Sequence, residues 1–164
     1  MKIGLQLGYW QKNPTPRFIE LAQVAESLGF DSVWTAEAYG SDCFTPLAAI
    51  AASTKRIRLG TGVMQISART PTCAAMTALT LDHISNGRLI LGVGVSGPQV
   101  VEGWYGQPFT RPLERTREWI QIFRQAIARE EPVEFHGEQY NLPCKDGMGL
   151  GKPLKSITHP LRKR

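Results

Sequence analysis

Short apolar runs alternate with longer amphipathic stretches along most of the chain, and these two patterns are typical of strands and helices. Apolar runs with adjoining glycines begin near residues 3, 32, 57 and 89. Between them, apolar side chains recur every three or four residues, as on one face of a helix. The predicted strands are 3–7, 32–34, 57–63 and 89–93, and the predicted helices are 17–28, 46–52, 71–84 and 112–129.

The spacing of these elements predicts the fold class. Strand starts lie about 25 to 32 residues apart, and strands that alternate with helices at this spacing indicate an α/β protein with a parallel sheet of four βα units. The third and fourth strands run into glycines, including Gly62 and Gly94. Because glycine lets the backbone approach a ligand closely, the pattern favours a cofactor enzyme with its site at these strand ends.

Two further details of the helices are predicted. Thr15-Pro16, Thr45-Pro46 and Thr70-Pro71 each place a hydroxyl before a proline, so we expect all three threonines to cap a helix. The fourth helix is expected to turn its apolar side chains inward, and these are Leu113, Ile120, Phe123 and Ile127.

Composition limits the class of protein. The chain has 164 residues, of which 42% are hydrophobic, and this suffices for one ordinary core. No apolar run reaches the roughly 18 residues of a membrane span, and residues 1–3 lead directly into a strand rather than a signal peptide. The three widely spaced cysteines predict reduced thiols in a cytoplasmic protein, with neither a disulfide framework nor a metal site.

The chain divides by pattern near residue 131. Residues 1–131 carry the strand and helix repeats, whereas 132–164 predict a hairpin that turns at His136-Gly137, followed by a long loop or a disordered tail. Residues 151–164 hold five basic residues and no acid, which accounts for the net charge of +5. Such a tail suits either an acidic partner or simple solvation, and because no aromatic residue interleaves it we expect no nucleic-acid binding.

Residues 92–97 match the GxGxxG pattern of dinucleotide-binding Rossmann domains. That pattern belongs to the first βα unit of such a domain and requires a helix at its third glycine. Here it follows the fourth strand, and Pro98, Gly103 and Gly106 predict an irregular segment after it. The Rossmann interpretation is therefore the weaker alternative.

Five local patterns occur together in a fixed order. They are LGFDSVW at 28–34, RLGTGV at 58–63, RTP at 69–71, LDHISNGR at 81–88 and LGVG at 91–94. In this order and spacing the chain resembles the N-terminal half of the luciferase-like flavin oxidoreductases, and most of all the branch that uses the deazaflavin coenzyme F-420. The resemblance implies an incomplete (β/α)₈ TIM-type barrel, with the cofactor at the carboxyl ends of the strands.

The resemblance also implies a set of site residues. Members of the family have a non-proline cis peptide at the end of the third strand, which corresponds to Gly62-Val63 here. Glu37 corresponds to the acidic residue that the family often has after the second strand and is the candidate catalytic residue, although Ala38 replaces the histidine that often follows it. The candidate cofactor-binding residues are Gly62, Val63, Met64, Gln65, Ser96 and Gly97, and the candidate substrate-pocket residues are Gln99 and Trp104.

The implied activity is hydride transfer between a cofactor and a small organic substrate. Coenzyme F-420 is the expected cofactor, with FMN and monooxygenase chemistry as the alternative. Eight βα units take about 250 residues, so this chain supplies roughly half a barrel. A catalytically inactive, truncated remnant therefore remains the second interpretation, and exposed sheet edges favour a homo-oligomer.

Overall fold

The computed structural model describes residues 1–144 and 147–162. The described residues form four parallel strands with interleaved helices, followed by a small hairpin. In chain order the elements are β1 Gly4–Gly8, α1 Phe18–Ser27, β2 Ser32–Thr35, α2 Phe44–Ser53, β3 Arg58–Gln65, α3 Pro71–Ile84, β4 Leu89–Gly94, α4 Pro98–Gly103, α5 Pro112–Ala128, β5 Phe135–His136 and β6 Asn141–Leu142.

The four long strands form one parallel sheet in the order β1-β2-β3-β4. Each predicted strand and each of the four predicted helices is present, with its ends within two residues of the prediction. The spatial order follows the chain order, as in a barrel, and does not reverse as in a Rossmann sheet. The Rossmann alternative is therefore wrong.

One face of the sheet packs against the helices. Register partners Leu5, Val33, Leu59 and Leu89 form a row across all four strands on this face, and Val33 and Leu59 are fully buried. The helices bring their own apolar faces to the same core, with α5 packed against α3. Burial of this face supplies the main stabilisation of the fold.

The opposite face of the sheet carries a tryptophan laid across glycines. Gln6, Trp34, Gly60 and Ile90 form the corresponding row of register partners. A Cβ atom added at Gly60 would lie 2.2 Å from Cε3 of Trp34, and one added at Gly4 would lie 2.9 Å from its Nε1 atom. Glycine is therefore required beneath the indole ring.

Hydrogen bonds from side chains to the backbone also stabilise the amino-terminal end of the sheet. One carboxylate oxygen of Glu26 accepts hydrogen bonds from the three backbone amides of residues 55–57. Burial acts to raise the pKa of Glu26, but these three hydrogen bonds outweigh it and lower the pKa. The guanidinium of Arg88 donates to the carbonyls of Ala51, Thr54, Ile57 and Ser85. These contacts stabilise the end of the sheet that lies away from the candidate site.

Only one of the three predicted threonine caps forms. The Thr70 hydroxyl accepts from the amide of Cys73 at the start of α3. The cap of α2 is instead Asp42, whose carboxylate accepts from the amides of Phe44 and Thr45, because α2 begins before Thr45 rather than after it. The Thr15 prediction is also wrong, since α1 begins at Phe18 after Arg17 in a left-handed conformation without a side-chain cap.

Two other predictions about helices were wrong. The segment after β4, expected to be irregular, contains the short helix α4, with Pro98 at its first position. Leu113, expected inward, is 75% exposed because it lies in the first turn of α5, beyond the part of the helix that packs on the core. Phe123 and Ile127, farther along α5, are buried as predicted.

The hairpin pairs Phe135-His136 with Asn141-Leu142, so its turn lies later than the predicted His136-Gly137. The following stretch, expected to be a long loop or a disordered tail, is a loop that makes specific contacts with the body where the structure describes it. Val133 donates a backbone hydrogen bond to Leu154, and the Arg162 guanidinium donates to both carboxylate oxygens of Asp82. Lys163 and Arg164, also assigned to that tail, lie outside the described residues.

None of the helices in residues 1–144 and 147–162 combines the length and the apolar composition that a membrane span requires. All three cysteines are free thiols, of which Cys43 is buried, whereas Cys73 and Cys144 are exposed. The described part of the chain contains no group of three or more His, Cys, Asp or Glu side chains arranged to hold a metal ion.

Candidate cofactor site at the carboxyl ends of the strands

The carboxyl end of β3 has an irregular backbone. The Gly62-Val63 peptide is cis, at the position that the resemblance implied. The pairing of β3 with β4 shifts register between Thr61 and Met64, so this segment is a bulge. Met64 is fully buried in the core, whereas Val63 is 40% exposed. The bulge therefore presents one apolar side chain outward at the end of the sheet.

Glycines on β4 leave room for this bulge. A Cβ atom added at Gly92 would lie 2.3 Å from the carbonyl oxygen of Thr61, and one added at Gly94 would lie 2.8 Å from Cγ2 of Val63. The Thr61 hydroxyl donates to the Gly92 carbonyl at 2.8 Å and accepts from its amide at 2.9 Å. Any residue other than glycine at position 92 would displace the β3 backbone.

Glu37 holds the bulge from the side of β2. Its amide donates to the Val63 carbonyl at 3.3 Å, and its carboxylate accepts from the Gln65 amide at 2.8 Å. The other carboxylate oxygen accepts from the amide of Cys43 at 3.2 Å. Glu37 is buried, and both of its carboxylate oxygens act as acceptors toward protein groups.

Arg69 completes this arrangement. It forms a 2.6 Å ion pair with Glu37 in which the Arg69 side chain is 16% exposed and the Glu37 side chain 4%. Its guanidinium also lies 5.0 Å from the centre of the Phe44 ring, a cation–π distance. Burial acts to lower the pKa of Arg69, but the hydrogen bond and the negative charge of Glu37 outweigh it, so the pKa is raised.

The Ala38 carbonyl links the β2 loop to two other segments. The Gln65 side-chain amide donates to it at 2.8 Å, and the Tyr105 hydroxyl donates at 3.3 Å. Burial, followed by the charge of Glu37, raises the pKa of Tyr105, so the phenol keeps its donor proton. Gln65 is buried, and its Oε1 atom has no hydrogen-bond donor within the described residues.

The other predicted site residues lie after β4. Ser96 has a positive φ of 62°, and Gly97 immediately precedes α4. The Gln99 side chain folds back toward Gly97, since a Cβ atom added there would lie 3.4 Å from Gln99 Oε1. Trp104 follows α4 and is 65% exposed, so it does not wall an enclosed pocket in the described part of the chain.

The structure thus brings Glu37, Val63 and Gln65 into direct contact. Ser96 and Gly97 follow the neighbouring strand end, because Gly94 pairs with Gln65. No hydrogen bond or ion pair joins Gln99 or Trp104 to the bulge among the described residues.

Sequence reasoning missed Arg69 and Thr61 as individual site residues. Arg69 appeared only as the first letter of a motif, and its partner Glu37 lies 32 positions away. The available signal was charge complementarity: an arginine after one strand and a glutamate after the neighbouring strand. Thr61 gave no signal, because a hydroxyl residue within a strand is unremarkable.

The strand ends offer a surface of backbone and one apolar side chain rather than a set of charged catalytic groups. Gly62 has the space for an approaching ligand, since a Cβ atom added there would lie no closer than 3.5 Å to any neighbour. Val63 is exposed beside it. Such a surface suits the face of a planar ring, and the buried Glu37–Arg69 pair fixes its shape.

Comparison with known proteins identifies the family of the chain. The sequence profile described as luciferase-like monooxygenase matches residues 2–160. A Mycobacterium tuberculosis protein named as a candidate coenzyme F-420-dependent oxidoreductase is 63% identical over 99% of this chain, which covers 47% of that protein. The 5,10-methylenetetrahydromethanopterin reductase of Methanolobus tindarius is 35% identical over 80% of this chain, which covers 40% of the reductase.

A solved structure gives the fold. Monooxygenase RslO1 of Streptomyces bottropensis superposes with a TM-score of 0.84 at 28% identity, over 99% of this chain and 51% of the monooxygenase. The chain thus spans about half the length of the relatives that it matches, and its four βα units form an incomplete TIM-type barrel, as predicted. With a profile match along nearly its whole length, the chain belongs to the luciferase-like monooxygenase family.

Proposed function

We propose that this chain carries the ring-binding half of a site for coenzyme F-420, or alternatively FMN, in an oxidoreductase that acts on a small organic substrate. The observation that carries the proposal is the bulge at Gly62-Val63, with Val63 exposed at the strand ends and with the Val63 carbonyl and the Gln65 amide both bonded to Glu37. Barrel enzymes place their sites at these strand ends.

The residues present fit a planar ring. Binding pockets for such cofactors are mostly apolar, with a few oriented polar groups. Gly62 and Val63 supply an open apolar surface, and Gly94 lets the Val63 side chain approach β4. When bound, a flavin or deazaflavin supplies the hydride chemistry, and the protein positions the ring and excludes water.

Glu37 was expected to be catalytic, and in this proposal it acts through the bulge. Its carboxylate contacts Cys43, Gln65 and Arg69, so its role is to fix the surface beneath the ring. Ser96 and Gly97 lie at the end of the adjacent strand, where they would border the ring. Gln99 of α4 and Trp104, which follows α4, would contact the substrate.

The choice of coenzyme F-420 first and FMN second rests on the named relatives. The Mycobacterium tuberculosis protein carries the F-420 designation and is 63% identical, whereas RslO1, which is named as a monooxygenase, is 28% identical. The proposal includes a cytoplasmic location, which the free cysteines support.

The test is a fluorescence titration of the purified chain with coenzyme F-420 and, in parallel, with FMN. We expect saturable binding of one cofactor, and at least a tenfold loss in Val63→Phe, because the larger ring occupies the proposed surface. Val24→Phe is the matched control, since Val24 is similarly exposed but lies on α1. Equal affinity of both variants and the unaltered chain would contradict the proposed site.

The second candidate function is that of a catalytically inactive remnant. It is favoured by one observation, namely that the chain spans about half of its relatives. A chain that is folded by circular dichroism but binds neither cofactor would support the remnant and contradict the proposed activity.

A further inference from the structure

Arg69 is held by two different elements, one at its side chain and one at its backbone. Its guanidinium forms the buried ion pair with Glu37, and its backbone carbonyl accepts a hydrogen bond from the indole Nε1 atom of Trp119 at 3.2 Å. Within the described part of the chain no other hydrogen bond reaches this carbonyl. Trp119 lies on α5, so this helix contacts the residue that holds Glu37.

Trp119 is a rigid support for this contact. Its side chain is fully buried, and its ring stacks on that of Phe123 with the centroids 5.1 Å apart and an angle of 14° between the planes. An indole N–H can only donate a hydrogen bond, and in a core it requires an acceptor. The Arg69 carbonyl is that acceptor, so the packing of the ring fixes the Arg69 backbone.

The turn of α5 that bears Trp119 is also fixed from its other side. The carboxylate of Glu118 is buried and accepts hydrogen bonds from the three backbone amides of residues 138–140. A Cβ atom added at Gly137 would lie 2.4 Å from Glu118 Oε2, so the hairpin turn fits closely against this carboxylate. This part of α5 is therefore held between the hairpin and the backbone of Arg69.

A continuous series of contacts leads from Trp119 to the bulge. Oε1 of Glu37 accepts from the Arg69 guanidinium at 2.6 Å and from the Gln65 amide at 2.8 Å. Because one oxygen atom serves both donors, a displacement of Arg69 would also displace the acceptor of the Gln65 amide. Gln65 follows Val63 by two residues, so the displacement would reach the surface around Gly62 and Val63.

We propose that Trp119 is a positioning residue for the surface at Gly62 and Val63, and that it acts through Arg69 and Glu37. Its hydrogen bond sets the position of the Arg69 backbone, and the Arg69 guanidinium in turn sets the position of the Glu37 carboxylate. The expected effect on cofactor affinity rests on the proposed function. The effect on the bulge itself does not, because it can be measured on the chain without a cofactor.

The first experiment measures amide hydrogen exchange by NMR in the chain without cofactor. We expect Trp119→Phe to speed exchange of the Gln65 amide about fivefold relative to the Ile57 amide, a change equivalent to the loss of one hydrogen bond. Ile57 is the internal reference, because its amide is held in the same way by Glu26 at the opposite end of the sheet. A general loss of stability would speed exchange of both amides equally.

Ile127→Ala is the matched control. Ile127 is buried on the same helix, about two turns beyond Trp119, so its truncation should lower stability without changing the ratio of the Gln65 and Ile57 exchange rates. Trp119→Met is a second variant that lacks the N–H but packs through a flexible side chain. If either Trp119 variant is folded and keeps the ratio of the unaltered chain, or if Ile127→Ala changes the ratio equally, the positioning role is overturned.

The second experiment titrates the same variants with coenzyme F-420 and with FMN. We expect binding to weaken about threefold in Trp119→Phe, a typical size for coupling through a series of contacts, and to be unchanged in Ile127→Ala. Unchanged affinity in a Trp119→Phe chain whose Gln65 amide exchanges faster would overturn the role in cofactor binding and leave the ring site intact. A folded unaltered chain that binds neither cofactor would contradict the proposed function, and the exchange ratio would still decide whether Trp119 positions Glu37.

Discussion

Glu37 and Arg69 form a buried ion pair that organises the end of β3. We expect Glu37→Ala to lower the free energy of unfolding by about 3 kcal/mol, because the Arg69 charge would remain buried without its main partner. Urea denaturation measures the change. Glu20→Ala removes the exposed pair with Arg17 and should cost less than about 1 kcal/mol. Equal losses in the two variants would contradict the structural role of the buried pair.

Cys43 links stability to pH. Burial, followed by the negative charge of Glu37, raises the pKa of its thiol above the ordinary value of 9.0. The unfolded chain therefore releases this proton first, and the free energy of unfolding should fall as pH rises above about 9. The slope should approach about 1.4 kcal/mol per pH unit for this one proton.

The measurement is urea denaturation between pH 8 and 10. Cys43→Ala is the control, and its stability should decline less steeply over this range. If the free energy of unfolding fell with pH at the same rate in both proteins, Cys43 would not be the source of the pH dependence.

At the residue scale, the sequence predicted where the site residues lie better than it predicted what each of them does. Gly62-Val63 was located from its motif, and Glu37 from its place after β2. The contacts of Glu37 could not be predicted, because Cys43, Gln65 and Arg69 approach it only when two strands and a helix start are packed together. The burial of its carboxylate depends on that packing.

The beginnings of α2 and α3 differ in the residue that caps them. We expect Thr70→Ala to destabilise the chain by about 1 kcal/mol, since its hydroxyl accepts from Cys73. Asp42→Ala should have a similar or larger cost, because its carboxylate accepts two amides of α2. Thr45→Ala should change stability little, as Thr45 is exposed within α2.

Thermal denaturation of the three variants tests this order. A Thr45→Ala variant that is as destabilised as Thr70→Ala would contradict the observed start of α2.

At the element scale, periodicity located every long helix and strand. It missed α4, whose six residues are too short for a period to be visible. It also placed the start of α2 at Pro46, since proline is common at the first helical position. The helix begins two residues earlier because Asp42 supplies its cap, and a threonine-proline pair alone does not distinguish these starts.

For the whole molecule, Arg162 connects residues near 160 to the β4 edge. We expect Arg162→Ala to accelerate tryptic cleavage after Lys155 several-fold, because it removes the hydrogen bonds to Asp82 and Leu89. Mass spectrometry of timed digests measures the rate. Arg162→Lys keeps the charge but not the two-pronged contact, so its rate should be intermediate. Cleavage at the unaltered rate in both variants would contradict the anchoring role.

The fold of the whole chain was predictable because four βα units repeat with similar lengths. The contacts of residues 147–162 could not be predicted, since this stretch shows neither the helical nor the strand periodicity. It is held by isolated hydrogen bonds such as those from Arg162 to Asp82. Composition alone made it resemble an unstructured tail. The attachment of Arg162 depends on a partner 80 positions earlier in the chain.

The order of the strands has a consequence for folding. Each strand pairs with the one before it in the chain, as in Gly4 with Ser32, Ser32 with Arg58 and Leu59 with Leu89. Each new strand pairing in this sheet therefore closes a loop of similar, moderate length, because the two strands are close in sequence. During synthesis, each βα unit can add to the edge left by the previous one, so the chain can fold progressively as it leaves the ribosome.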